Sequence, residues 1–284
     1  MLLHPVYIND VFQTFDHADT ILFADDMTLY FTGHTNDTLF HSANADLNKL
    51  NEWCLSNRLT INSDKTYFML FSNKIDNNLL ELKIRNNQIA RTSKLKFLGV
   101  TFDENLTFKF HTHNISQKLS RCTAMLYKIR DFMPPEILRA MYYAHIYPHL
   151  QYCNPIWATT QATHLNCINL IHKKIIRIIT KSSYLEHTAP LFKGMKILKL
   201  EDITKLSIAT TMYIKQINVS LPPHEYTTRQ RQRLCIPAHR LSIFRHSTSY
   251  LRPTRWNLLP LQYKNVHSIH KFKSKLKNHF LDAY

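Results

Sequence analysis

Near the N-terminus, residues 20–31 form an almost unbroken run of apolar and β-favouring side chains, interrupted by Asp25 and Asp26. Such a run predicts a strand, a tight turn and a second strand. We expect this hairpin to bury both flanks and to leave the two carboxylates at its tip. The preceding residues, 6–12, suggest the end of a helix or an extended entry segment.

A helical stripe follows the hairpin. Its apolar positions lie three or four residues apart, at Leu39, Ala43, Leu47, Leu50 and Cys54. This spacing predicts a helix of about five turns. Asn36 or Asp37 is the expected N-terminal cap, and Asn57 suits the exit turn.

Short strands are predicted after this helix. Residues 67–71 are apolar and aromatic, which predicts a buried strand. Two further strands are expected at roughly 80–85 and 94–102, the second of them containing Gly99. Together with the hairpin and the helix, this order fits an α/β domain that ends near residue 104.

Beyond residue 104 the pattern becomes helical. Apolar positions from Ile115 to Ile129 predict a helix that Pro134 and Pro135 would stop. Further helices are expected at about 136–147 (closed by Pro148), 162–181, 187–194 and 200–217. Residues 219–255 are rich in Pro and Arg, and we expect them to be partly disordered.

Positive charge is concentrated in the C-terminal part of the chain. The formal net charge is +16, and residues 203–284 carry 14 Lys and Arg against two acidic residues, whereas residues 1–202 carry 22 against 18. Such a block indicates a polyanionic partner, most often nucleic acid. The alternative is a solvated basic surface that serves solubility. An acidic membrane surface is a further alternative, but the sequence has no obvious amphipathic anchor. No apolar run approaches the roughly 18 residues of a membrane span, so we expect no membrane partner.

Several classes of protein are excluded by composition. The three glycines allow neither a dinucleotide-binding nor a P-loop motif. The five cysteines have no metal-binding spacing, and the 17 histidines are scattered. Because no secretion signal is visible, we expect an intracellular protein, nuclear or cytoplasmic.

The paired carboxylates at the hairpin tip favour a divalent cation. Two ionised groups about 4 Å apart repel by roughly 4 kcal/mol at a surface-like dielectric. Mg²⁺, which prefers oxygen ligands, relieves that repulsion and is widely used in phosphate chemistry. The alternative is an ordinary solvated turn, in which Asp is common.

The hairpin sequence resembles the Phe-Ala-Asp-Asp box of reverse transcriptases. Other segments resemble polymerases of non-LTR (LINE-type, jockey-like) retrotransposons in the same order: Tyr-Ile-Asn-Asp at 7–10, Leu-Thr-Ile-Asn-Ser-Asp-Lys-Thr at 59–66, Lys-Phe-Leu-Gly-Val at 96–100, thumb-like segments at 126–130, 146–153 and 177–180, and tail segments at 186–192 and 256–260. The resemblance therefore covers nearly the whole chain.

This resemblance implies an α+β fold. Residues 1–104 would form part of a polymerase palm, with a β-hairpin, a helix and short antiparallel strands. Residues 105–182 would form a mostly α-helical thumb, and residues 183–284 a basic helical region, partly disordered at about 219–255. The implied activity is RNA-directed DNA polymerisation by two-metal nucleotidyl transfer, with Mg²⁺ as cofactor and an RNA template and a DNA primer as partners.

The resemblance also assigns catalytic residues. Asp25 matches the family's metal-binding Asp, and Asp26 matches the second Asp, whose role is supportive. Lys65 matches the lysine proposed to protonate the leaving pyrophosphate. The alternative for Lys65 is an ordinary exposed or capping lysine.

Two groups of residues are candidates for contacts with nucleic acid. Phe97, Leu98 and Gly99 match the primer grip, where a glycine lets the backbone approach the primer end; the alternative is an ordinary core hairpin. The candidate basic contacts are Lys173, Lys174, Arg177, Arg229, Arg231 and Arg233.

One feature of the family has no match in this sequence. In the family, a second metal-binding Asp on an earlier palm strand and a Gln-Gly segment of the nucleotide pocket precede the hairpin. Asp10, Asp16 and Asp19 precede the hairpin here, but the residues around them do not match those of the family's Asp. We therefore expect a C-terminal part of a reverse transcriptase that does not polymerise DNA alone. The alternative is a non-catalytic nucleic-acid-binding module from a decayed retroelement. The order of the motifs disfavours an unrelated Mg²⁺-dependent phosphoesterase.

Overall fold

The computed structural model describes residues 8–72, 81–215 and 233–284. The chain divides into two compact units, Met1–Leu95 and Lys96–Tyr284. Helices and short strands are both present, so the fold is of the α+β class. The three domains expected from the sequence, with boundaries after residues 104 and 182, stay a prediction.

The N-terminal unit contains one long helix and several short strands. Its elements are β1 (Asp19–Phe23), β2 (Asp26–Tyr30), α1 (Asn36–Ser56), β3 (Tyr67–Phe68), β4 (Lys83–Ile84), β5 (Asn87–Gln88) and β6 (Ala90–Arg91), with 3₁₀ turns at Val11–Thr14 and Ser63–Lys65. β1 pairs with β2 and β4 with β5, both antiparallel as expected. The expectation of antiparallel strands is wrong for β3, which pairs with β6 in parallel. A further strand, β7 (Lys94–Phe97), begins at the end of this unit.

Helix α1 packs into the core of the N-terminal unit, as predicted, but in its first turn Phe40 is buried and Leu39, which the predicted stripe contained, is only half-buried. Its buried apolar side chains are Phe40, Ala43, Leu47, Leu50 and Cys54. The predicted N-terminal cap is wrong by one residue, because Thr35 is the cap and its side chain accepts a hydrogen bond from the Thr38 N–H at 3.3 Å. The helix ends before Asn57, as expected.

The buried strand predicted at residues 67–71 is mostly wrong. Only Tyr67 and Phe68 form a strand, and their parallel partner β6 is equally short. Phe68 packs edge-on against Phe40, with ring centroids 5.8 Å apart. Tyr67 and Phe71 are exposed, because their side chains have no core to face once the pairing stops.

A buried carboxylate on α1 holds the segment that enters β1. Asp46 is fully buried and accepts hydrogen bonds from the backbone N–H groups of Asp16, His17 and Ala18, at 3.2, 2.9 and 2.9 Å. Hydrogen bonds to an ionised acceptor are stronger than neutral ones and offset the cost of burying the charge. The start of the hairpin is therefore fixed to the helix.

The C-terminal unit is mostly helical. Its elements are β8 (Val100–Asp103), which pairs with β7, and α2 (Lys109–Ile129), α3 (Pro135–His145), α4 (Tyr147–Gln151), α5 (Asn154–Trp157), α6 (Ala162–Thr180), α7 (Thr188–Gly194), α8 (Leu200–Lys215), α9 (Thr248–Leu258), α10 (Leu261–Lys264) and α11 (Ile269–Asp282), with a 3₁₀ turn at Ser242–His246. Helices α2 and α6 pack together around a large apolar core.

Most helices of this unit match the predicted ranges, with two differences. The helix expected at 136–147 ends at His145, and Pro148 does not close it but lies in the first turn of α4, where a missing N–H is tolerated. Within residues 219–255, expected to be partly disordered, those up to 232 lie outside the described residues, whereas 242–246 and 248–255 are helical.

The helical core contains one fully buried polar pair. The Tyr142 hydroxyl and His172 Nε2 lie 2.9 Å apart, and their rings stack. Burial lowers the pKa of His172 to about 3, so the imidazole is neutral at physiological pH and its Nε2 can accept a hydrogen bond from the Tyr142 hydroxyl. The Tyr142 hydroxyl and the His172 ring thus each have a hydrogen-bond partner where α3 packs against α6.

We predict that Asp46→Asn loosens the entry to the hairpin. The amide has one acceptor oxygen and would turn its NH₂ group towards a backbone donor, which should cost about 2–3 kcal/mol. Hydrogen exchange followed by mass spectrometry should show faster exchange over residues 15–31. Glu52→Gln removes the same charge from an exposed position of α1 and should leave that exchange unchanged. Equal protection of residues 15–31 in both variants would contradict this role of Asp46.

Candidate functional site

The two aspartates lie at the tip of the β1–β2 hairpin. Phe23 pairs with Asp26, so the loop consists of Ala24 and Asp25 only. Ala24 has a positive φ of 54°, as tight two-residue hairpin loops require at their first position. Both aspartates are exposed. The predicted strand–turn–strand is therefore present, with Asp25 in the turn and Asp26 at the start of β2.

The flanks of the hairpin are buried on one face only. Leu22, Met27 and Leu29 pack against the core of the N-terminal unit. On the opposite face Ile21, Phe23 and Tyr30 are 44%, 58% and 42% exposed. The expectation that both flanks are buried is wrong, because alternate strand residues face opposite sides and a core lies on one side. The open face carries apolar side chains next to Asp26.

The aspartate pair supplies only part of a metal site. Carboxylate oxygens suit Mg²⁺, which takes six ligands in octahedral geometry. Across the parts of the chain that the structure describes, no three His, Cys, Asp or Glu side chains lie close enough together to hold a metal ion. The described residues therefore do not fit a complete Mg²⁺ site, although Asp25 and Asp26 are suitable ligands within one.

Lys65 ends a short 3₁₀ turn. The Asn62 side chain caps this turn by accepting from the backbone N–H groups of Asp64 and Lys65, at 3.1 and 3.3 Å. The Lys65 ammonium is exposed, and no hydrogen bond or ion pair among the described residues joins it to Asp25 or Asp26. The backbone at Lys65 is thus fixed while its side chain is free to reach a ligand.

Leu98 and Gly99 form the two-residue loop between β7 and β8. Both have positive φ, 43° and 84°. The Tyr152 hydroxyl donates to the Leu98 carbonyl at 2.5 Å, and the Tyr152 ring lies against Gly99, where an added Cβ would be 3.3 Å from Cε1. Phe97 is half-buried and packs edge-on against Phe102. Tyr152 therefore holds a strained turn in one conformation.

Hydrogen bonds from the helical core hold the residues on either side of this contact. The Thr101 N–H donates to His111 Nδ1 at 3.3 Å, and burial, together with Lys118, lowers the pKa of His111 to about 4. The Trp157 indole N–H donates to the Tyr152 carbonyl at 2.8 Å, and Trp157 is fully buried. Strand β8 and Tyr152 are thus both attached to the packed interior of the C-terminal unit.

The candidate basic residues differ in exposure and contacts. Lys173 and Lys174 are exposed on α6. Arg177 is half-buried and donates from Nε and Nη2 to the Glu186 carbonyl, at 3.1 and 2.9 Å, so its guanidinium fixes the loop after α6. Arg229 and Arg231 lie outside the described residues. Arg233 is exposed.

Two positioning residues were not assigned a role from the sequence. Asp46 was detectable as a polar residue on the buried stripe of α1. Tyr152 belongs to one of the thumb-like segments, but its contact with Leu98 joins residues 54 positions apart in the chain. No local pattern predicts a contact of that kind.

Comparisons with known proteins show which sequences this chain resembles. Residues 2–102 match the family model described as reverse transcriptase (RNA-dependent DNA polymerase). The chain is 26% identical over 159 residues, 55% of its length, to the RNA-directed DNA polymerase from mobile element jockey of Drosophila funebris. It is 22% identical over 245 residues, 81% of its length, to the probable RNA-directed DNA polymerase from transposon X-element of Drosophila melanogaster. No solved structure matches the chain.

These matches support a non-LTR retrotransposon reverse transcriptase as the class of protein to which the chain is related. A third relative, the probable RNA-directed DNA polymerase from transposon BS of Drosophila melanogaster, is 24% identical over 67% of the chain. The chain spans 17%, 27% and 21% of the length of the jockey, X-element and BS proteins. None of the described helices is both long enough and apolar enough to cross a lipid bilayer.

We predict that Gly99→Ala destabilises the C-terminal unit by about 1–2 kcal/mol. A Cβ at positive φ is strained, and Tyr152 is held in place by its hydrogen bond to Leu98. Gly194→Ala is the matched control, because a Cβ there meets nothing within 4 Å and the residue ends helix α7. Thermal unfolding should show a lower Tm for Gly99→Ala only. A Tm drop of equal size in both variants would contradict the role of the turn.

Proposed function

We propose that this chain is the C-terminal part of the polymerase region of a non-LTR retrotransposon reverse transcriptase, comprising the end of the palm, the thumb and a basic C-terminal region. In the complete enzyme it contributes to RNA-directed DNA synthesis on an RNA template and a DNA primer. The observation that carries the proposal is the exposed tip of the β1–β2 hairpin, which presents Asp25 and Asp26 on a fixed support.

Asp25 is the metal-binding carboxylate in this proposal, and Asp26 supports it. When Mg²⁺ is bound, it supplies charge stabilisation to the reacting phosphate. The open face with Ile21, Phe23 and Tyr30 fits a position beside further palm structure that carries the remaining metal ligands. Lys65 is the candidate proton donor, since its ammonium is exposed on a capped turn.

The second unit serves nucleic-acid binding in this proposal. The Phe97–Leu98–Gly99 turn is the primer grip, and its support by Tyr152 favours a fixed backbone next to the primer end. Lys173 and Lys174 are free to contact phosphates, and the excess of Lys and Arg after residue 203 adds long-range attraction. We propose that the protein acts inside the cell, where the complete enzyme would copy its RNA template.

The chain alone should bind nucleic acid without extending a primer. Within residues 8–72, 81–215 and 233–284, too few carboxylates lie together to hold Mg²⁺. Each 1.36 kcal/mol of lost transition-state stabilisation lowers the rate tenfold. A primer-extension assay with an RNA template, a DNA primer, dNTPs and Mg²⁺ should therefore give no product. Robust extension would contradict the proposal that the active site is incomplete.

Nucleic-acid binding is tested with the same purified chain. The logarithm of the affinity for an RNA–DNA hybrid should fall linearly with the logarithm of the salt concentration, because phosphate contacts release counterions. Replacing both Lys173 and Lys174 with Gln should reduce the salt slope by up to about 1.8. No binding at low salt, or an affinity that does not change with salt, would contradict the proposed role in nucleic-acid binding.

A further inference from the structure

A cavity of about 400 Å³ opens within the C-terminal unit. One wall is a single face of α6, formed by Ala162, Leu165 and Asn169. The other walls come from α8, from α9 and from the 3₁₀ turn that precedes α9. A cavity of this volume is in the range of small-molecule sites and is too small to hold a duplex. None of the site residues expected from the sequence lines it.

Two arginines without a carboxylate partner line the cavity. Arg245 donates from Nε to His239 Nε2 at 2.8 Å, which orients its guanidinium, and Arg255 lies in the last turn of α9. Among the described residues neither forms an ion pair. The acidic residue of the lining, Glu201, is compensated by Lys205 at 2.8 Å. The cavity therefore has two guanidinium groups available for an anion.

Apolar side chains also line the cavity. Leu200 and Ile208 are almost fully buried, and Leu165 and Leu251 are half-buried. The Asn169 side chain adds an amide that can donate and accept hydrogen bonds. Planar donors beside an apolar wall match a phosphate joined to an aromatic base, because guanidinium groups pair with phosphate and bases pack on apolar surfaces.

The cavity is held open by contacts at its rim. The Thr159 hydroxyl donates to the His246 carbonyl at 3.0 Å, and His246 Nδ1 contacts the Thr159 carbonyl in return. The Ser247 side chain then caps α9 by accepting from the Tyr250 N–H at 3.3 Å. These contacts fix the segment that carries Arg245 against the loop that leads into α6, so the site is preorganised.

We propose that this cavity binds one nucleotide of a single-stranded nucleic acid. The phosphate pairs with Arg245 and Arg255, and the base lies against the apolar wall near Leu165 and Leu251. The proposal rests on the proposed nucleic-acid-binding function and adds a specific site to it. Because a cavity of about 400 Å³ is too small to hold a duplex, we expect it to take a nucleotide of an unpaired strand, such as a template or product end that has left the duplex.

The first test blocks the cavity without changing charge. Ala162 and Thr163 are neighbouring exposed residues in the first turn of α6, and only Ala162 lines the cavity. Fluorescence anisotropy with a fluorescein-labelled oligothymidylate should show at least about tenfold weaker binding for Ala162→Trp, because the indole would fill space that the nucleotide occupies. Thr163→Trp should bind within about twofold of wild type. Equal affinities of the two variants would overturn the proposal.

The second test distinguishes specific contacts of Arg245 and Arg255 from non-specific electrostatic attraction to nucleic acid. Arg245→Gln and Arg255→Gln should each weaken binding about tenfold, the size of a lost charge-assisted contact. Arg240→Gln removes the same charge from an exposed arginine outside the lining and should weaken binding only about twofold. Losses as large for Arg240→Gln would mean that the attraction is non-specific, and the site would be rejected.

Two further measurements distinguish the outcomes. Thymidine monophosphate should displace the probe at lower concentration than inorganic phosphate does; equal potency would reduce the site to an anion pocket and overturn the assignment of a base.

Affinity for an RNA–DNA hybrid should be the same in Ala162→Trp and wild type. If wild type binds neither probe, the proposed function fails; if it binds both and Ala162→Trp is unaffected, only this site fails.

Discussion

The buried carboxylate of Asp46 is the constraint on which the N-terminal unit depends. It binds three consecutive backbone N–H groups just before β1 and so attaches the hairpin to α1. Without this attachment, a two-stranded hairpin with one open face would be marginal in water. An aspartate pair is useful for metal chemistry only when its support is rigid, because ligands must be held close to their working geometry.

Two tight hairpins are the structural elements on which the functional proposals depend. One presents Asp25 through a loop with positive φ at Ala24, and the other presents the Leu98–Gly99 backbone. Each is held by a distant side chain, Asp46 in the first unit and Tyr152 in the second. Strained turns persist where surrounding contacts over-determine them, and such turns cluster at functional sites.

Much of this architecture could be predicted from periodicity and turn chemistry. The stripe from Leu39 to Cys54 predicts α1 because one face is buried, and the Asp-Asp run predicts a turn because its flanks favour strands. Periodicity could not predict that residues 67–71 pair over two positions only, since the length of β3 depends on a partner that is distant in sequence. It also gave no indication that Arg245 and Arg255 share a cavity, because that requires the packing of three helices.

The central claim is that Asp25 is a metal-binding carboxylate of a polymerase. The most direct measurement is primer extension by a jockey polymerase in which residues 2–102 of this chain replace the matching segment and extension is retained. Asp25→Asn in that chimera should lower the extension rate at least about a hundredfold, the effect of losing more than 2.7 kcal/mol of transition-state stabilisation. Asp37→Asn, an exposed residue of α1, should change it less than about twofold. Undiminished extension by the Asp25→Asn chimera would contradict the account.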